Sequence, residues 1–241
     1  MRRRGQFHPA TVSAACGAAV RNDTVGLQVS DSALTAAVNR VDNISAETTP
    51  PVINPIPNVT ANLPGGSVTS LVVNFPLPTA SDNCGIVNVT TSPISGSVFP
   101  LGVTTVNVRA TDAAGNTANS SFTVTVLYSF TGFFQPVDNL PTINIINAGQ
   151  AIPMKFSVNG NQGLNILSAG YPISTPVACD ASEPGSTADE TVNAGSSSLS
   201  DNATTDQCSY VWKTNKAWKG TCRMFVLKLN DGSEHYAKSR F

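Results

Sequence analysis

Thr105-Val106-Asn107-Val108-Arg109-Ala110-Thr111-Asp112-Ala113-Ala114-Gly115-Asn116-Thr117-Ala118-Asn119-Ser120-Ser121-Phe122-Thr123-Val124-Thr125-Val126 reads as two strands and the turn between them. Val106, Val108 and Ala110 fall on one face, while Thr105, Asn107 and Arg109 point the other way. Phe122, Val124 and Val126 repeat the pattern with Thr123 and Thr125 outward. Successive side chains of a strand project to opposite faces, so an apolar residue at every second place marks a strand with one buried face. Asp112-Ala113-Ala114-Gly115-Asn116 holds the Gly and Asn that a tight turn demands, and two alternating runs across such a turn make a hairpin.

The same period extends outward. Leu71, Val73 and Phe75 share a face, as do Val87 and Val89, and the breakers Leu63-Pro64-Gly65-Gly66 and Phe99-Pro100-Leu101-Gly102 fall between the runs. A module of roughly 75 residues built from short one-sided strands is an Ig-like β-sandwich. Composition agrees. Ser, Thr and Asn make up 72 of the 241 residues and Val another 25, whereas Lys supplies six. Strands favour Val and Thr, turns favour Asn, Ser, Gly and Pro, and long surface helices favour Lys, Glu and Leu. The fold class is therefore all-β, in tandem Ig-like sandwich modules.

Only 12% of residues are charged and the net charge is −1, which removes the general electrostatic case for nucleic acid or an anionic membrane. No run approaches the roughly 18 apolar residues of a transmembrane span. Met1-Arg2-Arg3-Arg4 resembles the basic start of a secretion signal, but the residues that follow are too polar for its apolar region. The chain reads as a piece of a longer exported protein or one with a misassigned start. Within 1–48, Val25, Leu27 and Val29 alternate like a strand, and Ala33, Leu34, Ala37, Val38 and Val41 recur at helical spacing. This part is taken as the incomplete tail of a preceding β module. Glu47-Thr48-Thr49-Pro50-Pro51 then forms a semi-rigid linker, because two prolines hold the chain extended.

Beyond 127, Ile152, Met154, Phe156 and Val158 alternate, followed by Tyr210-Val211-Trp212 and by Phe225, Leu227 and Leu229. Asn230-Asp231-Gly232 is a hairpin turn, and the run to Phe241 is its partner strand.

Four motifs in order, Thr48-Thr49-Pro50-Pro51, Ala80-Ser81-Asp82-Asn83-Cys84-Gly85, Ser95-Gly96-Ser97-Val98-Phe99-Pro100-Leu101-Gly102 and Ala110-Thr111-Asp112-Ala113-Ala114-Gly115-Asn116, closely resemble the hyalin repeat (HYR) domain. That resemblance implies an Ig-like fold in extracellular, often tandem, adhesion-type proteins. Family members often carry further cysteines near the positions of Thr91 and Val108 or late in the last strand, where this chain has Ser120-Ser121. Cys84 thus lacks its usual company, and no disulfide is expected inside this module. Pro153-Met154-Lys155-Phe156, Val211-Trp212-Lys213-Thr214, Trp218-Lys219-Gly220-Thr221-Cys222-Arg223 and Arg240-Phe241 resemble the PxKF domain, which occurs at the C-termini of secreted bacterial proteins and implies location without activity. The expected order is 1–48 as preceding module and linker, 49–127 as the HYR sandwich and 128–241 as the PxKF-type sandwich. Of the three pairings open to Cys179, Cys208 and Cys222, Cys179–Cys222 is favoured. Cys222 fits the family-like Trp-Lys-Gly-Thr-Cys motif and Cys179 ends an apolar run, while Cys208 looks like a local substitution. The partners of Cys16, Cys84 and Cys208 stay open.

Catalysis finds little footing. The chain has two histidines, His8 and His235, and four glutamates, Glu47, Glu183, Glu190 and Glu234, none in a confidently assigned strand. No nucleophile elbow, HExxH, Walker loop or Gly-x-Gly-x-x-Gly is present. The five cysteines never approach Cys-x-x-Cys spacing, which excludes a zinc site of the usual kind and points to disulfides in an oxidising compartment. Calcium is the cation to consider. In an Ig-like sandwich, Asp82 and Asn83 fall in one loop and Asp112 and Asn116 in another at the same end, with Glu47 on the linker entering there. Hard oxygen ligands from three segments suit calcium; as turn residues, the commoner reading of such short motifs, the same side chains bond their own backbone.

Trp212 lies in an alternating strand and is expected in the core. Trp218, amid Lys213, Lys216, Lys219 and Arg223, is the candidate for stacking on a sugar or binding a polyanion. Residues 210–240 hold seven Lys and Arg against Asp231 and Glu234, and 180–206 holds six acidic residues with no Lys or Arg. Mutual neutralisation within the domain is the plainer outcome. The Asn-x-Ser/Thr sequons carry no weight in a chain this rich in those residues. The functional expectation is a secreted or cell-surface, non-catalytic spacer and adhesion module of a bacterial protein. Its partners would be neighbouring modules and a surface glycan or protein; the alternative is a carbohydrate-binding module of an exported enzyme.

Overall fold

Alternating burial shapes almost every element. The computed structural model describes residues 47–180, 189–190, 192–193 and 199–241. The strand-or-helix choice over 25–41, the basic start and Cys16 lie outside the described residues. The chain forms β1 (Val52–Ile53), β2 (Val59–Asn62), β3 (Ser70–Val72), β4 (Ala80–Ser81), β5 (Ile86–Ser92), β6 (Val98–Pro100), β7 (Gly102–Asp112) and β8 (Thr117–Leu127). There follow β9 (Thr131–Phe134), β10 (Ile143–Ile145), β11 (Ala151–Ser157), β12 (Ile173–Val177), β13 (Asp189–Glu190), β14 (Val192–Asn193), β15 (Ser200–Asn202), β16 (Gln207–Lys213), β17 (Cys222–Lys228) and β18 (Glu234–Arg240). One short 3-10 turn, Lys216–Trp218, is the sole helical element among the described residues. The protein is all-β.

Chain contacts divide it into two compact units. Of the described residues, the first takes those up to Ile56 with Leu77–Ser92 and Asn107–Ser121. Here β1 pairs antiparallel with β4, Val52 opposite Ser81, and β5 pairs antiparallel with the Asn107–Asp112 part of β7. The β5 register shifts between Ile86 and Asn88, an irregularity that brings the Gly85 carbonyl within 3.2 Å of the Ala113 amide. Val108 and Ala110 are buried, with Asn107 and Arg109 outward as their period requires. Thr91, opposite Val108, is also buried, and its hydroxyl has no hydrogen-bond partner among the described residues.

The second unit takes Pro57–Pro76, Pro93–Val106 and Phe122–Phe241. Strand β2 pairs parallel with the end of β8, Val59 opposite Val124 through Asn62 opposite Leu127, and β3 pairs antiparallel with β6. Phe75 packs edge-on against Phe122 at 5.0 Å and Phe99 at 6.3 Å between ring centres. The described residues of 131–241 form a sandwich of two sheets, ordered β10-β18-β17-β12-β13 and β14-β16-β11-β9, with β15 paired to β16. Ile152, Met154 and Phe156 of β11 and Cys208, Tyr210 and Trp212 of β16 point into it. From the facing sheet Phe225 meets Trp212 at 5.2 Å and Tyr210 at 5.9 Å. Strand β17 has neighbours on both sides and an almost continuous buried run, as a central strand should. It turns through Asn230-Asp231-Gly232, with Gly232 at φ 90°, into β18.

Cys179 and Cys222 form a disulfide with Cα atoms 5.2 Å apart. Cys208 is a buried free thiol whose pKa burial, with Asp201 and Asp206 nearby, pushes up to about 11. Cys84 is disulfide-bonded too; as the sole cysteine of 49–127 it closes no loop within that segment.

Two stability changes are expected. Replacing both Cys179 and Cys222 with Ala should cost about 4 kcal/mol in the chain-entropy model, given their separation of 43 residues, read as a lower denaturant midpoint. Thr91→Val removes a buried unpaired hydroxyl at nearly constant shape and should raise stability by about 1 kcal/mol in the same assay.

Candidate functional site

The first unit gathers its oxygen-bearing side chains at one place. Asp112 ends β7, and its Oδ1 accepts the Asn116 amide at 2.8 Å, closing the turn into β8, which Gly115 permits at φ 92°. Asp82 does the same locally, accepting the Cys84 amide at 2.7 Å. Each aspartate is thus a turn residue through one oxygen. The other contacts reach across the chain. Glu47, buried despite its place on the linker, accepts the Thr49 amide at 2.5 Å through Oε1 and the Asn116 side-chain amide at 2.8 Å through Oε2. That amide also reaches Asp112 Oδ2 at 2.9 Å and the carbonyls of Glu47 and Thr49 at 3.3 and 3.4 Å. Its two hydrogens therefore face four oxygens.

Asn83 stands between carboxylates as well. Turned one way its N–H reaches Glu47 Oε1 at 3.5 Å; turned the other it donates to both Asp82 oxygens at 3.2 and 3.3 Å. Ligand atoms of Glu47, Asp82 and Cys84 lie within 4.8 Å of one another, but the Cys84 sulfur is committed to its disulfide. Among the described residues, every hydrogen-bond donor to these three carboxylates is a neutral amide. All five residues singled out from sequence, Glu47, Asp82, Asn83, Asp112 and Asn116, meet here. The Thr49 and Glu47 carbonyls were not foreseen, since a backbone oxygen leaves no mark in a sequence. The donor set is that of a hard cation: carboxylates and carbonyls, with no available thiolate or imidazole.

Burial works to raise the Asp112 pKa, but hydrogen bonds from the Asn116 side chain and backbone, and from the Ala114 and Gly115 amides, outweigh it and hold the carboxyl below the ordinary aspartate range.

The aromatic and basic candidates of the second unit fare differently. Lys213, Lys216 and Lys219 are exposed. Arg223 is buried: its guanidinium lies 4.0 Å over the Trp218 ring, Nε donates to Ser174 Oγ at 2.9 Å and Nη2 to the Ser174 carbonyl at 3.3 Å. Trp218 also meets Trp212 at 5.8 Å and Phe241 at 5.5 Å. One face of the Trp218 ring is covered by the cation expected to flank it. Lys238 is buried too, donating to the Cys179 carbonyl at 2.7 Å. The β12–β13 ladder sets Asp189 opposite Ser174 in register.

His235 stacks on Phe130 at 3.5 Å, and burial lowers its pKa against the opposing pull of Asp231. Its Nε2 lies 3.1 Å from Ser233 Oγ, but that hydroxyl donates to Asp231 Oδ1 at 2.6 Å. The serine stands between acid and imidazole. A nucleophilic serine needs the imidazole between itself and the acid, so that the base can take its proton.

The strands and this oxygen-rich end define an all-β protein with a sandwich-type module. Residues 46–126 match the HYR domain family. Hyalin of Lytechinus variegatus is 38% identical over 111 residues, covering 44% of this chain and 20% of hyalin. Hyalin of Strongylocentrotus purpuratus is 34% identical over 116 residues, 46% of this chain and 9% of that protein. The chain thus spans a fifth or less of these relatives. Among solved structures, the Bacteroides ovatus mixed-linkage glucan utilization locus SGBP-B in complex with a mixed-linkage heptasaccharide aligns with 80% of this chain and 48% of its own, at 12% identity and a TM-score of 0.22. So loose a superposition bears no argument.

Asn116→Ala should release Asp112, moving its carboxyl titration upward as followed by carbonyl NMR. Because the native Asp112 pKa is lowered, the charged form stabilises the fold above the ordinary aspartate range, and this contribution is lost as pH falls through the lowered folded value. In the variant the contribution should be smaller and its loss complete at higher pH; an unmoved titration would separate Asp112 from Asn116.

Proposed function

We propose that the chain is a non-catalytic extracellular or cell-surface segment, a spacer and adhesion module of a larger exported bacterial protein. The observation that carries this is the match of 46–126 to the HYR domain, whose members the resemblance places in adhesion-type proteins. Support comes from the PxKF-like motifs of 128–241, which resemble domains of the same company, from the disulfides, and from the committed hydroxyl of Ser233. Its partners are neighbouring modules of the same polypeptide and a protein or glycan displayed on a surface.

Within that reading the cluster of Glu47, Asp82, Asn83, Asp112 and Asn116 binds calcium and stiffens the entry to the HYR segment. The residues present fit such an ion: three carboxylates and two carbonyls surround amides that leave oxygens in excess. Calcium would supply the charge that neutral amides cannot.

Beads coated with the purified chain should adhere to cells or extracellular matrix, and the chain should release no product from polysaccharides or peptides. Turnover that disappears with His235→Ala would overturn the non-catalytic reading. A ligand on a glycan array whose binding is lost in Trp218→Ala would favour the carbohydrate-module alternative. For the ion, the melting temperature should rise with millimolar calcium, as ligand linkage requires, and Asp112→Ala should abolish the increment whatever its own baseline. A melting temperature indifferent to calcium would leave Asp82 and Asp112 as turn residues alone.

A further inference from the structure

Among the described residues, the second unit holds two residues other than glycine in the left-handed region, Asn159 at φ 62° and Asp206 at φ 50°. Such conformations persist where the surroundings over-determine them. Both serve one contact. Asp206 Oδ2 accepts from Ser157 Oγ at 2.7 Å and its Oδ1 from the Gly160 amide at 2.8 Å, while Ser157 Oγ accepts the Asn159 amide at 2.9 Å. The turn so fixed presents the Asn159 carbonyl to the Gly66 amide at 2.9 Å. Ser67 Oγ donates to the Asn161 carbonyl at 2.5 Å, and the Gln162 side chain returns a hydrogen bond to the Gly66 carbonyl. The two turns touch backbone to backbone: a Cβ on Gly160 would lie 2.7 Å from Gly66 Cα.

A separate attachment lies along the chain itself. The Tyr128 amide donates to the buried Asp231 carboxylate at 2.7 Å, Ser129 Oγ donates to the Leu63 carbonyl at 2.6 Å, and Phe130 is stacked between His235 and Phe156. A connector pinned at one place can still act as a hinge. A second attachment away from it removes the hinge axis.

We propose that the turns Leu63–Ser67 and Asn159–Gln162 form a clasp that locks the β2–β8 ladder to the 131–241 sandwich, so that the second unit moves as one body. Gly160 is the residue on which closure depends, because any side chain there collides with the Gly66 backbone. The inference goes beyond the functional reading above and stands or falls without it.

Residual dipolar couplings of the full chain test it. Amides of β2 and the Phe122–Leu127 part of β8, and amides of β17 and β18, should fit a single alignment tensor in the native protein. Gly160→Ala should split them into two tensors while leaving the β17–β18 couplings consistent with their own strand geometry. Two tensors in the native protein overturn the clasp, as does one shared tensor in a Gly160→Ala protein that circular dichroism shows to be folded. Should that variant not fold, Ser67→Ala with Gln162→Ala takes its place: loss of the common tensor supports the clasp, and an unchanged one overturns it.

Discussion

The hydrogen bond from the Asn116 amide to the Asp112 carboxylate is the constraint from which the rest of the first unit follows. It closes a turn between two eleven-residue strands and so fixes where β7 ends and β8 begins. Side chains alternate along each strand, so a slip of one residue would turn Val108 and Ala110 to solvent and bury Asn107 and Arg109. Once that register is set, the shift in β5 between Ile86 and Asn88 aims Gly85 at Ala113 and carries Asp82 and Asn83 to the same end. The cluster of acidic groups is a consequence of register in two strands, not of proximity in sequence.

What stabilises that cluster is the number and direction of neutral donors. Like charges brought together repel, and taking them from water adds a cost that only hydrogen bonds or a counter-ion can offset. A lysine or arginine at 83 or 116 would offset one of the three charges. Asparagine does not: it lends two hydrogens to one side and leaves the net charge of Glu47, Asp82 and Asp112 in place. Asn116 is over-subscribed for that reason, with four oxygens about one amide.

Strands and turns were legible from the chain because they depend on neighbours: period two at Val106–Ala110 and Phe122–Val126, and Gly with Asn or Asp at 115–116 and 230–232. The end on which the oxygen ligands gather was legible too, once the sandwich was assumed. Partners far apart in sequence were not. Nothing local says that β2 runs parallel to β8, since an alternating strand carries no record of its neighbour's direction. From sequence Arg223 reads as a surface cation, because charge usually stays in water. It is buried because Ser174, 49 residues earlier, offers a hydroxyl and a carbonyl, and because the flat guanidinium stacks on Trp218. The surroundings of Trp218 are illegible for the same reason: a face cannot be called free until the residue lying over it is known.

The parallel pairing of β2 with β8 bears on how such a segment would carry load. The chain enters this ladder at Val59 and leaves it at Leu127, with the two strands running in the same direction through four registered pairs. Pulling the entry and the exit apart draws the strands along their own axes, so the ladder bonds are strained together rather than opened one at a time. An antiparallel hairpin pulled from its two free ends would unzip from one end. The Leu63 amide to the Leu127 carbonyl at 2.8 Å and the Thr123 amide to Asn58 Oδ1 at 2.9 Å extend the ladder at both ends. Strand direction, which no local sequence pattern records, thus decides whether such a ladder yields gradually or holds until it parts at once.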